Sequence, residues 1–397
     1  MAKQGFKVMD SDIHVSEPPD LWERYLEPAF KDRGPRLART NGEGSERLVV
    51  TAKALISHAI EGVPGYQRTR QIRMAKAREK AIESGRAALT GHAAGRGDDP
   101  KNMVAAMEVE GIDVSIVFRT EGAHVLGFDA RDGMDGPLAA AICRAYNTWA
   151  HDFCSADPER LKMAAQMPIQ DVGEAVTEAR RAVQELGAIT LVLPNHSVNE
   201  RPWYDEYYHP FWAEAERLGV PVSFHGIHVA RQQHLHLRYM DNHALGHIAG
   251  HAMEMMLALS SMLLGGVFER FPKLTAAFLE GNCSWIPWLL WALDEHEDQM
   301  GDKERFGLTM PPSAYFRRQC FVSVEPDEHP AKYVIQEIGD DNIVISTDWP
   351  HGDSRYPQAI DTFLGLEGIS DDSKRKILWD NCARLYRIEA PSEAGER

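Results

Sequence analysis

The sequence carries no excess of basic residues, no CxxC pair and no uninterrupted apolar run long enough to cross a bilayer. Each gap removes a class of function. Lys and Arg number 43 against 59 Asp and Glu, a net charge of −16 with an isoelectric point near 5.5. That balance argues against a nucleic-acid or anionic-membrane partner, since no basic stripe neutralises phosphates. The most apolar helical stretch, "MEMMLALSSMLLGGVF", is broken by Glu254 and by Gly265-Gly266, which marks a buried helix and not a membrane span. The opening "MAKQGFKVMD" has no apolar signal-peptide core, so the expectation is a cytoplasmic protein. The five cysteines, Cys143, Cys154, Cys283, Cys320 and Cys382, are scattered and odd in number. They are expected as reduced core residues, neither a disulfide frame nor a thiolate metal site.

What is present is an alternation of short β-rich runs with longer helical patterns. Eight candidate strands can be read: "FKVMDSDIHV", "VSIVFRTEG", "LKMAAQMPIQ", "AITLVLPNH", "PVSFHGIH", "LTAAFLEGN", "CFVSVEP" and "NIVISTDWPH". Their apolar residues run nearly continuously, as in parallel strands covered on both faces. The helical patterns between them have start and stop signals: "DVGEAVTEARRAVQELG" opens on an Asp and closes on a Gly. Eight such units predict a distorted (β/α)8 TIM barrel spanning residues 1–397 as one domain. No glycine-rich phosphate loop follows the first strand, which argues against an open doubly wound sheet. A long insertion, roughly residues 20–100, separates the first strand from its partner. Its charged, alanine-rich middle predicts a mainly helical segment, expected to act as a lid over the barrel mouth.

Barrel enzymes gather their chemistry at the carboxyl ends of the strands. There this chain places Asp12 and His14, His225 with His228 beyond it, Glu280, Glu325, and Asp348 with His351. Asp12 and His14, two apart on a strand, project from one face. Imidazole and carboxylate donors from several strands suit a borderline divalent ion, with zinc the first expectation and iron or manganese the alternatives. Such an ion lowers the pKa of a bound water and polarises a carbonyl, and an adjacent Asp can take the proton.

These phrases, together with "MEVEGIDVSIVF", "LLGGVFERFPKLTAAFLEGN", "WLLWALDEHED" and "DNCARLYRI", resemble the amidohydrolase superfamily. The branch resembled is the amidohydrolase-related one that includes aminocarboxymuconate-semialdehyde and hydroxybenzoate decarboxylases. The resemblance implies one divalent metal. Asp12 holds the place of the first histidine in a His-x-His motif, His14 the second, and His225 matches the strand-five ligand. Asp348 matches the strand-eight aspartate that contacts the metal and handles the proton. Where many decarboxylases of the branch carry a strand-six histidine, this chain has Glu280, expected as an extra ligand or close neighbour. The end of the fourth strand offers Asn195 and His196, not the lysine of dinuclear sites, which favours a single ion. His251 is expected to face substrate, and Glu17 and His351 to support the ligands from behind.

The metal set implied is therefore Asp12, His14, His225, Asp348 and Glu280, with Asp348, His251 and Glu280 as catalytic candidates. Because Glu280 departs from the decarboxylase pattern, the first expectation is a hydrolase opening an amide, imide or lactone of a small-molecule substrate. The alternative is a non-oxidative decarboxylase or hydratase of an aromatic or unsaturated acid. Arg119, Arg231 and Arg238 are candidates to meet a substrate carboxylate. Trp285, Trp288 and Trp291 recur at a spacing of three in one helix, and such apolar bulk predicts a homodimer or larger assembly.

Overall fold

The structure is a computed structural model. It describes residues 3–18, 20–39, 46–50, 99–120, 124–226, 235, 239, 242–351 and 354–388. Among the described residues there are ten strands: β1 (Met9–Val15), β2 (Pro35–Arg39), β3 (Glu46–Val50), β4 (Val114–Arg119), β5 (Leu161–Gln166), β6 (Thr190–Pro194), β7 (Val222–His225), β8 (Ala276–Phe278), β9 (Cys320–Val324) and β10 (Ile343–Ile345). Eight of them form one parallel sheet in the order β1-β4-β5-β6-β7-β8-β9-β10, with helices between successive strands. This is the (β/α)8 barrel read from the alternation, and each of the eight runs supplies one strand.

Local signals explain the helices. Asp171 caps Val172–Gln184 by accepting from the Gly173 and Glu174 amides, which satisfies donors with no partner inside the helix. The helix His209–Leu218 stops at Gly219 with φ 71°, a left-handed conformation that only glycine adopts cheaply.

Side chains fill the barrel. Met9, Ile116, Phe118, Ala164, Val192, Ala277, Phe321 and Val344 make an inner cluster, against which Leu385 and Tyr386 of the helix Asn381–Tyr386 pack. A larger apolar layer lies between the strands and the surrounding helices. All five cysteines are free and buried. Among the described residues no helix is long and apolar enough to cross a membrane.

Two details refine these expectations. The described start of the insertion is not purely helical. After the short helix Leu21–Tyr25 it forms an antiparallel hairpin, β2 with β3, in the register Pro35↔Val50 to Arg39↔Glu46. Its charged middle, and with it the lid role, lies outside the described residues, as do His228, Arg231 and Arg238. Strands β8 and β10 are also shorter than the runs that contain them. Glu280 and Asp348 sit beyond the strand ends in the left-handed region, at φ 57° and 56°.

The seam between β1 and β10 closes differently from the other seven. In place of a regular ladder, the Asp348 amide donates to Asp12 O (3.1 Å) and the His14 amide to Trp349 O (2.6 Å). Ser11 Oγ donates to Ile345 O (2.5 Å). Fully buried Asp10 accepts from the Thr347 amide (3.1 Å) and the Asp12 amide (3.2 Å) and pairs with the Thr347 hydroxyl.

Burial pushes the Asp10 carboxyl up to about 8, so the fold favours its protonated form. Stability from this group is full below the ordinary value of 3.8 and declines as pH climbs from there toward about 8. Asp10→Asn should hold the fold within about 1 kcal/mol at neutral pH and flatten that decline, whereas Asp10→Ala should cost about 1–3 kcal/mol. Urea titrations across the pH range check this, and an undiminished slope in the Asn variant would refute it.

Candidate metal centre

The strand ends bring Asp12, His14, His225, Glu280, Asp348 and His351 into one cluster. Asp12, His14 and His225 are 0–1% exposed. Their ligand atoms form two overlapping groups that share His14: Asp12 with His225, and Glu280 with Asp348 and His351. His14 Nε2 lies 3.1 Å from Asp348 Oδ1 and 3.4 Å from Asp12 Oδ1, and His225 Nε2 lies 3.1 Å from Asp12 Oδ1. Metal–donor bonds of about 2.1 Å place neighbouring donors about 3.0 Å apart at octahedral angles and about 3.4 Å at tetrahedral ones. The observed separations match those edges in length.

Each of the two imidazoles turns its Nδ1 to a backbone carbonyl. His14 Nδ1 faces Arg119 O at 2.5 Å, so a proton on Nδ1 leaves the Nε2 lone pair pointing into the cluster. His225 presents Nδ1 to Gly226 O (3.1 Å) and Glu280 Oε2 (3.3 Å), and its other nitrogen to Asp12. His14 Nε2, Glu280 Oε2 and Asp348 Oδ1 are buried and lack a hydrogen-bond partner of good geometry among the described residues. Converging, unsatisfied N and O donors fit a borderline divalent cation.

Charge within the cluster is mutually supported. Burial opposes the charge on His225, yet Asp12 and Glu280 outweigh it and raise its pKa. Burial likewise opposes His251, and Glu280 lifts that ring to about 9. Burial disfavours the Glu280 carboxylate, but His225 and His251 hold it well below the usual range. Asp348 is lowered in the same way, against burial, by His351 and His14.

Elements around the cluster fix each member. Arg119, at the end of β4, is buried; its Nη2 donates to Gly226 O (2.9 Å) and its Nε to Gln166 Oε1 (3.1 Å). It holds the end of β7, so its guanidinium supports the site from behind and does not sit at the mouth. A Cβ on Gly226 would collide with Glu280 and lie 2.6 Å from His251 Cδ2. Glycine is needed there for close approach. His251 lies in a π-helical turn, Ala249–Met253, a distortion often found at functional sites. Asn195 Nδ2 holds that turn through Gly250 O (2.7 Å), His251 Nδ1 faces His247 O (2.8 Å), and its Nε2 sits 3.4 Å from Glu280 Oε1. Glu17 accepts from the Thr120 amide (3.0 Å).

Glu280 therefore touches two imidazoles, those of His225 and His251, and lies 3.9 Å from a third, His351. His351, expected behind the ligands, joins the cluster itself: its Nδ1 is 2.7 Å from Asp348 Oδ1 and its ring stacks on His14 at 4.0 Å. The cavity above, about 470 Å³, is lined by Glu280, Glu325, Asp348, His251, Asp327 and Arg355 among others. The sequence reading passed over Asp10, Asp327 and Arg355. The first had a signal, since Asp10, Asp12 and His14 are two apart in turn. The other two lie in loops, where nothing in the order of residues pairs Asp327 with Arg355.

A family model described as Amidohydrolase matches residues 90–388. Gamma-resorcylate decarboxylase of Rhizobium sp. strain MTP-10005 is 26% identical over 264 residues, 64% of this chain and 79% of that protein. Among solved structures, an amidohydrolase from Mycobacterium avium subsp. paratuberculosis K-10 is similar with a TM-score of 0.75 at 22% identity, over 96% of this chain and 99% of that one. A dihydroxybenzoic acid decarboxylase from Polaromonas sp. JS666, with bound manganese and the inhibitor 2-nitroresorcinol, has a TM-score of 0.65 at 19% identity, over 97% and 98%.

The geometry separates ligands from neighbours in a measurable way. His14→Ala and His225→Ala should each lose most of the bound metal, while His251→Ala should keep it. Elemental analysis of the purified variants decides, and a His14→Ala protein with full metal content would overturn the site.

Proposed function

The chain belongs to the amidohydrolase family of enzymes, and on that footing we propose that it is a metal-dependent, non-oxidative decarboxylase of an aromatic carboxylic acid. The observation that carries this reading is the Asp348–His14–His351 contact at the cavity floor, joined to the named decarboxylase relatives. Those relatives support the second of the two expectations above over hydrolysis. Of the divalent ions, we put manganese ahead of zinc, because two carboxylates (Asp12 and Asp348) accompany two imidazoles, and carboxylate ligands suit manganese. The Polaromonas neighbour's manganese points the same way.

When bound, the ion supplies positive charge that draws an ortho-hydroxylated carboxylate to the floor and stabilises charge developing on the ring oxygen. Asp12, His14, His225 and Asp348 would hold it. Asp348 then acts on the ring carbon that bears the carboxylate. It delivers a proton to that carbon, the bond to the carboxylate breaks, its electron pair returns to the ring, and CO2 leaves. Solvent restores the proton. His351 and His14 favour the ionised form of Asp348, so each turnover requires Asp348 to regain its proton before it acts as the acid. His351, 2.7 Å from Oδ1, orients the carboxyl. Glu280, between His225 and His251, holds both rings in place and keeps the His251 ring charged.

We also propose a homodimer or larger assembly. Trp285 is buried, but Trp288, Trp291 and Tyr333 are 60–62% exposed and border one open groove. Large aromatic side chains clustered on a surface mark an interface. Trp288→Glu with Trp291→Glu should shift the sedimentation coefficient to that of a monomer at micromolar concentration, and an unchanged value counts against this face.

The reaction is tested with 2,6-dihydroxybenzoate and other hydroxylated benzoates against a panel of amides and lactones, in deuterated water. CO2 release with deuterium at the vacated ring carbon is expected; hydrolysis of an amide or lactone without CO2 would restore the hydrolase reading. Asp348→Asn should keep most of the metal while turnover falls roughly 10²- to 10⁴-fold.

A further inference from the structure

One residue stands behind both of the carbonyls that the candidate imidazole ligands face. For His14 the acceptor is the backbone oxygen of Arg119 itself, 2.5 Å away on the neighbouring strand β4. For His225 it is Gly226 O at 3.1 Å, and the same oxygen accepts from Arg119 Nη2 at 2.9 Å. A carbonyl has two lone pairs and can serve both donors. In the barrel order β4 and β7 are separated by β5 and β6. The Arg119 side chain thus crosses from one strand end to another that is not its neighbour.

Gly226 needs such an anchor. Phe118 stacks on the His225 ring, centroids 4.9 Å apart, which limits the tilt of the ring but not which nitrogen faces Asp12. That choice falls to Gly226 O, and β7 has ended one residue earlier, at His225. A glycine is required at this point because a Cβ would meet Glu280 and His251, yet glycine leaves the backbone its widest freedom. Close packing beside the ligand therefore creates a looseness that an outside donor has to remove. The guanidinium is itself fixed: Arg119 is 1% exposed, and its Nε donates to Gln166 Oε1 at 3.1 Å. Asn147 clamps Gln166 by its backbone, accepting from the amide (2.8 Å) and donating to the carbonyl (3.0 Å). Asn147 Nδ2 also donates to Glu178 Oε1 at 2.7 Å. The chain of contacts so ends on two helices outside the barrel, Gly136–Cys154 and Val172–Gln184.

We propose that Arg119 is the positioning residue of the metal centre, orienting His225 with its side chain through Gly226 O and His14 with its own carbonyl. Both rings then offer Nε2 to one ion. The inference rests on the metal centre described above and not on the reaction catalysed there. A role through charge alone would have the opposite sign. Glu280 and Asp12 act on the buried guanidinium, so its charge is felt in the cluster, and a fixed cation there repels a divalent ion. Deleting the side chain tightens metal binding if charge is what counts and weakens it if position counts. Only the His225 arm runs through the side chain, so the loss belongs to His225 and not to His14.

The test titrates Co2+ into metal-free protein, follows the visible absorption of the bound ion, and checks each variant's fold by thermal melting. Arg119→Met should weaken binding about tenfold or more, the usual cost of losing a group that orients a metal-bound histidine. It should do the same in a His14→Ala background titrated with excess ion. In a His225→Ala background it should change affinity by less than about twofold, because the contact it supports is already gone. Gln166→Met loosens the guanidinium at constant charge, and should weaken binding in the same two backgrounds by a smaller factor. If Arg119→Met fails to fold, the Gln166→Met set decides alone. Unchanged or tighter binding, or a loss of equal size in all three backgrounds, overturns the assignment. The reaction is judged separately: a His225-dependent loss without CO2 release from any hydroxybenzoate upholds Arg119 and sinks the decarboxylase. CO2 release with a loss indifferent to His225 does the reverse, and wild type that takes up no Co2+ sinks both.

Discussion

The barrel is closed by the residues that make up the candidate metal centre. At the β1–β10 seam the ladder is replaced by hydrogen bonds from the Asp348 amide to Asp12 O and from the His14 amide to Trp349 O. Buried Asp10 clasps Thr347 immediately beside them. Candidate ligands from the first and the last strand thus approach one another only as the sheet completes its circle. A barrel that failed to close would leave Asp12 and His14 without Asp348, and a distorted Asp348 loop would open the seam. Fold and site are one cooperative unit at this edge, which is why a buried carboxyl with no contact to substrate belongs in any account of the site.

The cluster concentrates costs that the surroundings must offset. Glu280 and Asp348 both sit at positive φ, a conformation that disfavours side-chain-bearing residues and persists at functional sites because neighbouring structure dictates it. For Glu280 the neighbours are the Ser323 hydroxyl, which accepts from its amide at 3.1 Å, and the side-chain clearance over Gly226. Glu328 adds a second brace: its carboxylate accepts from the Cys283 and Ser284 amides at 3.0 and 2.8 Å and from the Glu325 amide at 3.2 Å. The loops after β8 and β9, one carrying Glu280 and the other lining the cavity, therefore share one buried anchor. Such bracing is how a barrel keeps charged side chains within the narrow tolerance that metal ligation requires.

Much of this was legible in the sequence because periodicity and position encode it. The alternation of apolar runs and capped helices gave the barrel, and the barrel in turn said that Asp12, His14, His225, Glu280 and Asp348 would meet at one end. What the alternation cannot encode is how each turn bends after its strand. The left-handed turns at Glu280 and Asp348 moved both residues beyond the expected strand ends, and the turn after Asp348 brought His351 up to its carboxyl. The β2–β3 hairpin was hidden for a related reason: the charged, alanine-rich stretch beyond it dominates the reading of the whole insertion. Arg119 was found as a cation, but burial decides its job, and burial depends on tertiary packing.

Glu280 carried the first expectation toward hydrolysis, and its surroundings change that argument. A strand-six histidine would place one more positive group beside the cluster. A glutamate reverses the sign, yet it stands between His225 and His251, close to His351, and its charge raises the proton affinity of the first two rings. A cationic imidazole is thus recovered one residue further out, at His251, which lines the same cavity. The substitution moves positive charge from strand six to the π-helical turn and does not remove it. An anionic substrate entering a protein of net charge −16, through a cavity with four carboxylates, needs that charge together with the ion and the Arg355 guanidinium. An amide or lactone, being neutral, needs none of it. For the decarboxylase proposed above, the positive charge that His251 and Arg355 set against four carboxylates is what a carboxylate substrate would need.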